Sequence, residues 1–120
     1  MIFIDLMDSR PIYEQVVERF KLLILKGVIG QDEKLPSVRN LAVELSLNPN
    51  TIQRAYGELE RQGYIYTVKG KGNFASGSEK LIDRYKEEIQ KQLREICKTA
   101  ISIGMTQEKL INGIREWRKL

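Results

Sequence analysis

Apolar residues recur along this chain with three different periods, and each period predicts a different kind of element. Ile2, Ile4 and Leu6 alternate with Phe3 and Asp5, the two-residue period of a short strand or an extended arm. The period then lengthens. Ile12, Val16, Phe20 and Leu23 are spaced by four, four and three residues, a helical stripe that runs to Gly27. Ser9 is the expected cap of that helix. Pro11 falls in its first turn, where a missing N–H costs little. Turn formers then fill residues 30–36.

Two short helices follow. Ser37 is placed to cap the first, whose buried stripe is Val38, Leu41, Ala42 and Leu45. After Ser46 and Leu47, Asn48 caps the second, with Pro49 at its first position. Ile52, Ala55, Tyr56 and Leu59 have the i, i+3, i+4, i+7 spacing of a buried face, and Gly63 stands where a helix-ending glycine is expected. Residues 64–68 are β-branched or aromatic and read as a strand. Residues 69–72 form a tight glycine turn, and residues 73–75 return as a second strand. Ser76, Gly77 and Ser78 read as a hinge.

Beyond residue 78 the period becomes seven. Ile82, Ile89, Ile96 and Ile103 repeat at that interval, and Leu93 and Ala100 stand four residues after Ile89 and Ile96. One long amphipathic helix with a heptad seam is expected. Gly104 breaks it, Thr106 caps a last helix, and Leu110, Ile114 and Trp117 form that helix's apolar face. So long an apolar seam needs covering. The last helix folding back and the same seam of a second chain are both expected to cover it.

Composition narrows the chemistry. The 120 residues are 42% hydrophobic and 30% charged, which suits one packed domain, or a small one with an appendage, and not a disordered chain. There is no histidine and one cysteine, so no Cys/His zinc site forms within one chain. Ser-His-Asp and Cys-His catalysis lack their base. No carboxylate pair is motif-spaced, and Gly70-Lys71-Gly72 leads into a strand where a phosphate-binding loop would lead into a helix. An enzyme, a metal site and a cofactor are therefore not expected. A single thiol suits the reducing cytoplasm. Cys97, one residue past Ile96, reads as a small semi-buried apolar side chain. The longest apolar runs, residues 1–4 and 22–25, fall short of the ~20 residues of a membrane span and the ~7–15 of a signal sequence.

The net charge of +4 permits a nucleic-acid partner without requiring one. Its distribution says more. Residues 34–73 hold six basic side chains (Lys34, Arg39, Arg54, Arg61, Lys69, Lys71) against three acidic ones, so +3 of the charge lies in one third of the length. Two short helices and a glycine-tipped hairpin, in that order, make a winged helix-turn-helix, whose second helix enters the major groove. Opposite the buried stripe that helix presents Asn50, Gln53, Arg54, Gly57 and Arg61, with Thr51 beside its start. Asn and Gln pair bidentately with adenine, and Arg with guanine. The helix N-terminus is expected to add free N–H groups and a positive dipole end for phosphate. A solvated helix face would carry similar residues. The lysines flanking Gly70 on a slim hairpin tip favour the DNA reading.

The stretch Lys34-Leu35-Pro36-Ser37-Val38-Arg39-Asn40-Leu41-Ala42 is followed by residues 47–60, Leu-Asn-Pro-Asn-Thr-Ile-Gln-Arg-Ala-Tyr-Gly-Glu-Leu-Glu. Then come Gly63-Tyr64-Ile65 and Gly70-Lys71-Gly72-Asn73-Phe74. Together with Pro11-Ile12-Tyr13-Glu14-Gln15, these motifs closely resemble the GntR family of bacterial transcription regulators over roughly residues 9–76. The short helical tail resembles the YtrA subfamily. The resemblance implies an α+β, mostly α fold: a winged helix-turn-helix domain over residues 1–77 and a two-helix C-terminal dimerisation region over residues 78–120. It implies DNA contacts from Lys34, Ser37 and Arg39, from Asn48, Asn50, Thr51, Gln53 and Arg54, and from the wing residues Lys69, Gly70 and Lys71. Pro49 departs from family branches that carry an arginine there, which implies a different operator. Dimerisation would fall to Ile82, Ile89, Leu93, Ile96, Ala100, Ile103, Leu110, Ile114 and Trp117.

The function so implied is a homodimeric repressor that binds an inverted repeat in double-stranded DNA, with no membrane partner. The 43 residues from Ser78 onward are too few for a large effector domain. A small-molecule effector between dimer helices stays open. The competing reading is a winged-helix protein-interaction module, favoured by the modest charge and the long apolar seam.

Overall fold

The stripe Ile52, Ala55, Tyr56 and Leu59 is buried on all four positions, and the first unit of the molecule is built around it. A computed structural model describes every residue except Met1, Phe3, Ser78, Lys119 and Leu120. Its elements are α1 (Ile12–Leu25), α2 (Val38–Leu45), α3 (Pro49–Arg61), β1 (Ile65–Val68), β2 (Gly72–Ala75), α4 (Glu79–Ser102) and α5 (Gln107–Trp117). They form two compact units, Met1–Ile82 and Asp83–Leu120, and the division falls within α4.

In the first unit α1 and α2 both pack on α3. Val16 and Phe20 of α1 and Leu41 and Ala42 of α2 are buried beside the α3 stripe, while Val38 and Leu45 are half-buried. The large side chains are worth about 1.5–3 kcal/mol each on burial. The caps are worth about 1 kcal/mol each, so they set where the helices begin while the stripe sets how they pack. The predicted caps of α2 and α3 both form. Ser37 Oγ accepts from Asn40 N–H at 3.1 Å, and Asn48 Oδ1 accepts from Asn50 N–H at 2.8 Å. Ser46 closes α2 in the left-handed conformation, φ 54°.

Tyr56 ties these parts together. Its ring meets Phe20 edge-on, with centroids 5.6 Å apart. Its hydroxyl donates to the Pro36 carbonyl at 2.7 Å.

β1 and β2 are antiparallel, with Ile65 opposite Ala75 and Val68 opposite Gly72. Lys71 N–H donates to Val68 O at 2.9 Å and closes the tip. The loop before α2 adds a third strip to this hairpin. Asp32 N–H donates to Ala75 O, Ala75 N–H to Glu33 O and Leu35 N–H to Asn73 O, all within 2.9 Å, and Lys34 pairs with Phe74. Gly77, at φ +50°, lies so close to this loop that an added Cβ would stand 2.9 Å from the Gln31 backbone. Of the expected hinge, Gly77 is thus tightly packed, and Ser78 lies outside the described residues.

The N-terminal expectations need correction. No strand forms over the described residues among 1–6, and Phe3 lies outside them. Pro11, not Ser9, is the N-cap of α1, without a side-chain cap hydrogen bond. The segment is pinned instead by Gln15, which is buried. Its Oε1 accepts from Asp5 N–H at 2.9 Å, and its Nε2 donates to Asp5 O at 3.0 Å. A backbone pair satisfied by one amide side chain removes the need for a strand partner.

In the second unit Thr106 caps α5 as expected, accepting from Lys109 N–H at 3.2 Å. Two expectations for the tail change. α4 ends at Ser102, so Ile103 lies in the turn and not on the helix. The last helix does not cover the seam within one chain: Ile89, Leu93, Ile96, Ile103, Ile114 and Trp117 are all exposed, Ile96 by 63%. Ala100 is buried, Leu110 is half-buried, and Cys97 is free and half-buried.

Removing the Tyr56 hydroxyl tests its tie without disturbing the ring. Tyr56→Phe is expected to lower stability by about 1 kcal/mol, the net value of one such hydrogen bond. Urea unfolding followed by circular dichroism reads the change, and an unchanged midpoint would show that the bond does not hold the Pro36 loop.

Candidate nucleic-acid interface

With its apolar stripe facing α1 and α2, α3 turns Asn50, Gln53, Arg54, Gly57 and Arg61 to solvent. Thr51, next to the buried Ile52, is half-buried. The side chains of Asn50 and Gln53 have no hydrogen bond among the described residues, so their donors and acceptors are available to a ligand. No Cβ occupies the surface at Gly57, and open space surrounds that position. A deep groove edge can therefore approach the helix backbone there.

The start of α3 differs from the sequence expectation. Pro49 has no N–H, Asn50 N–H is capped by Asn48, and Thr51 N–H donates to Asn48 O at 2.9 Å. The free N–H groups expected at this helix end are thus already satisfied, and only its dipole remains for an anion. At α2 the opposite holds. The Val38 and Arg39 N–H groups precede the Ser37 cap bond and have no partner among the described residues, and the Arg39 side chain is exposed beside them. Ser37 and Asn48 spend their oxygens on capping. Each keeps a donor, the Ser37 hydroxyl hydrogen and the Asn48 amide.

Two of the candidate arginines turn out to be restrained. Arg61 is held by Glu58, its Nε donating to Glu58 Oε2 at 2.9 Å, and Gln62 Nε2 donates to the same carboxylate at 2.7 Å. Hydrogen bonds from Arg61 and then Gln62 pull the Glu58 pKa down to about 2. This pair sets a carboxylate against the cation at the far end of α3. Arg54 is different: its guanidinium lies over the ring of Tyr13, 3.8 Å from the centroid.

The wing gathers three lysines. Lys69 and Lys71 are exposed on the tip around Gly70. Lys34 joins the wing through the third strip, paired with Phe74. Its side chain crosses Gly72, where an added Cβ would meet the Lys34 Cε at 2.9 Å and where φ is +123°. The sequence places Lys34 with the α2 motif, whereas the tertiary pairing places it on the wing. At the hairpin's base Tyr66 stacks on Phe74, with centroids 5.7 Å apart, and donates to Asp32 at 2.7 Å. That hydrogen bond raises the Tyr66 pKa. No group of three or more His, Cys, Asp or Glu that could hold a metal ion occurs among the described residues, and none of their helices is long and apolar enough to cross a membrane.

Residues 12–74 match the sequence family described as bacterial regulatory proteins, gntR family. The chain belongs to the GntR family. Over 118 residues it is 43% identical to the HTH-type transcriptional repressor YtrA of Bacillus subtilis (strain 168), spanning 97% of this chain and 91% of that one. A GntR family transcriptional regulator from Listeria monocytogenes aligns with a TM-score of 0.76 at 40% identity, over 91% of this chain and 96% of that one. AraR(DBD) in complex with operator ORX1 aligns with a TM-score of 0.55 at 33% identity, over 62% of this chain and 92% of that one. This GntR chain is a DNA-binding transcriptional regulator with a winged-helix fold that is mostly helical.

Sequence reasoning missed three features of the site: the Tyr13 ring under Arg54, the Glu58 bond on Arg61, and the Lys34 side chain on the wing. Only the second had a local signal, since Glu58 and Arg61 are spaced i, i+3. The Glu58 contact also makes a pH prediction. Its folded pKa is depressed, so its stabilisation is complete above the ordinary value of 4.5 and is lost as pH falls through about 2. Glu58→Gln should flatten this part of the acid limb in thermal melts between pH 6 and 2. Parallel acid limbs for the two proteins would show that the contact contributes nothing.

Proposed function

We propose that this GntR regulator is a repressor that binds an inverted-repeat operator as a homodimer. The observation that carries the operator reading is the two-sided α3, with its apolar stripe fully buried and Asn50 and Gln53 presented with unused hydrogen-bonding groups. Asn50, Gln53 and Arg54 would read base edges in the major groove, with Thr51 and Asn48 at the helix start. Arg39, Ser37 and the two unpartnered α2 N–H groups would bind phosphate. Lys34, Lys69 and Lys71, with Gly70 at the tip, would follow the backbone along the adjacent groove. The identity to YtrA of Bacillus subtilis, a transcriptional repressor that spans nearly the same length, supports repression. AraR(DBD), similar over the winged-helix part, is in complex with an operator.

The homodimer is supported by the second unit. Ile89, Leu93 and Ile96 line one exposed side of α4, and Ile103, Ile114 and Trp117 add further uncovered apolar surface. Isolated exposed apolar residues are ordinary, but a contiguous row marks an interface. A two-fold pair places two α3 helices in half-sites about one helical turn, ~34 Å, apart. The reading domain would span residues 1–77 and the dimerisation region residues 78–120.

Two experiments test these assignments. Mobility shifts on matched and scrambled operators at two salt concentrations separate base readers from phosphate contacts. Arg54→Ala is expected to relax selectivity at one base position at about 1–3 kcal/mol. Lys71→Ala is expected to weaken all sequences alike and to reduce the salt slope by about one. Equal losses on both DNAs for both variants would refute the division of roles. Sedimentation of Ile96→Glu tests the seam. The side chain is already exposed in one chain, so the variant should fold, sediment as a monomer and lose affinity for the operator. A dimer that persists would place the interface elsewhere.

A further inference from the structure

Arg54 and Tyr13 stand 41 positions apart in the sequence, on α3 and α1, yet the guanidinium carbon lies 3.8 Å from the ring centroid. Tyr13 is half-buried at the start of α1, and its hydroxyl lies 3.4 Å from Glu14 Oε1. Arg54 is exposed and makes no hydrogen bond or ion pair among the described residues. The contrast with Arg61 is direct, because Glu58 takes donors of that guanidinium for hydrogen bonds. A π face restrains a guanidinium through its quadrupole and consumes none of its five N–H donors. Ring contact therefore fixes the arginine and leaves it able to make a bidentate bond. An unrestrained arginine loses rotamer freedom when it binds, and an arginine already held in place loses less.

We propose that Tyr13 is a positioning residue for base reading: its ring holds the Arg54 guanidinium in place before DNA arrives, and so sets how strongly Arg54 selects its base. The proposal rests on the reading of α3 as the operator-binding helix. It assigns a specificity role to a helix whose Val16 and Phe20 serve the core, and it makes the aromatic ring the part of Tyr13 that matters, not the hydroxyl.

The test uses the full chain and a randomised 24-base-pair duplex library, about two helical turns with flanks. Wild type, Tyr13→Phe, Tyr13→Leu, Arg54→Ala and the Tyr13→Leu/Arg54→Ala double variant are each taken through selection. Their affinities for the wild-type consensus are then measured by fluorescence anisotropy, with thermal melts confirming that each is folded. Tyr13→Phe should retain the wild-type preference. Tyr13→Leu should flatten the same base position that Arg54→Ala flattens and weaken consensus binding about two- to fivefold, the effect of an exposed cation–π contact. The double variant should bind no worse than Arg54→Ala alone. A merely structural role for Tyr13 would lower affinity for all sequences and leave the base profile intact. That outcome, or losses that add in the double variant, would overturn the proposal.

A second readout does not depend on variants folding. In the NMR spectrum of the free protein the Arg54 Hδ and Hε resonances should be shifted upfield by the ring current, and an unshifted wild-type spectrum would overturn the proposal directly. If the wild type enriches no sequence at all, the operator reading itself fails. If it enriches one and Tyr13→Leu keeps the same profile, only the role of Tyr13 fails.

Discussion

Tyr56 joins three parts of the winged-helix unit through one side chain. Its ring packs edge-on against Phe20 of α1, its backbone belongs to α3, and its hydroxyl donates to the Pro36 carbonyl at the entry to α2. Burial pushes its pKa upward, so the hydroxyl keeps its proton and remains a donor. The other buried members of the stripe, Ile52, Ala55 and Leu59, contribute area without direction. The hydrogen bond supplies direction, because it satisfies one particular carbonyl and so fixes where the loop lies. From that loop position follow the pairing of residues 32–35 with β2 and the arrival of Lys34 on the wing.

With the back of α3 fixed in this way, the front is divided by how its polar groups are occupied. Asn48 satisfies the first N–H groups of the helix, and Glu58 neutralises Arg61 near its end. Between them the side chains of Asn50 and Gln53 have no hydrogen bond among the described residues, and Arg54 is restrained by a ring that takes none of its donors. Charge is likewise concentrated away from α3 itself, on Arg39 and on the three wing lysines. A helix whose own ends are electrostatically satisfied attracts phosphate weakly. On the reading proposed above, the phosphate-binding cations would lie on its neighbours, and its own exposed donors would remain for base edges.

The second unit follows a different physical rule. α4 has apolar residues spaced for a continuous side, and within one chain that side stays in water. Thr106 caps α5 and Gly104 turns the chain, yet α5 leaves its own Ile114 and Trp117 exposed. Each helix is locally well formed, whereas the burial that usually stabilises such helices is missing from the isolated chain. The dimer proposed above supplies it, and it couples the stability of the tail to protomer concentration.

Much of this architecture was legible in the sequence because it is local. The 3.6-residue stripe of α3, the Ser37, Asn48 and Thr106 caps, the proline at the first position of α3 and the glycine-tipped hairpin each depend on neighbours within a few positions, and each appears where its residues require. Motif order within residues 12–74 was enough to identify the family. Apart from the Glu58 bond on Arg61, whose partners are three residues apart, the misreadings were of groups whose partners lie outside the local pattern, or of helix ends where several caps compete. An alternating N-terminal run became a segment pinned by the Gln15 amide, and Pro11 displaced Ser9 as the cap. Ile103 fell past the end of its helix because Gly104, at φ +96°, ends the turn. By itself the sequence determined the elements and their apolar faces, since backbone propensity and periodicity act over a few residues. Only the tertiary structure decided which cations and donors are free, since Tyr13, Asp32 and Lys34 meet Arg54, Tyr66 and Gly72 by packing across distances that no local pattern encodes.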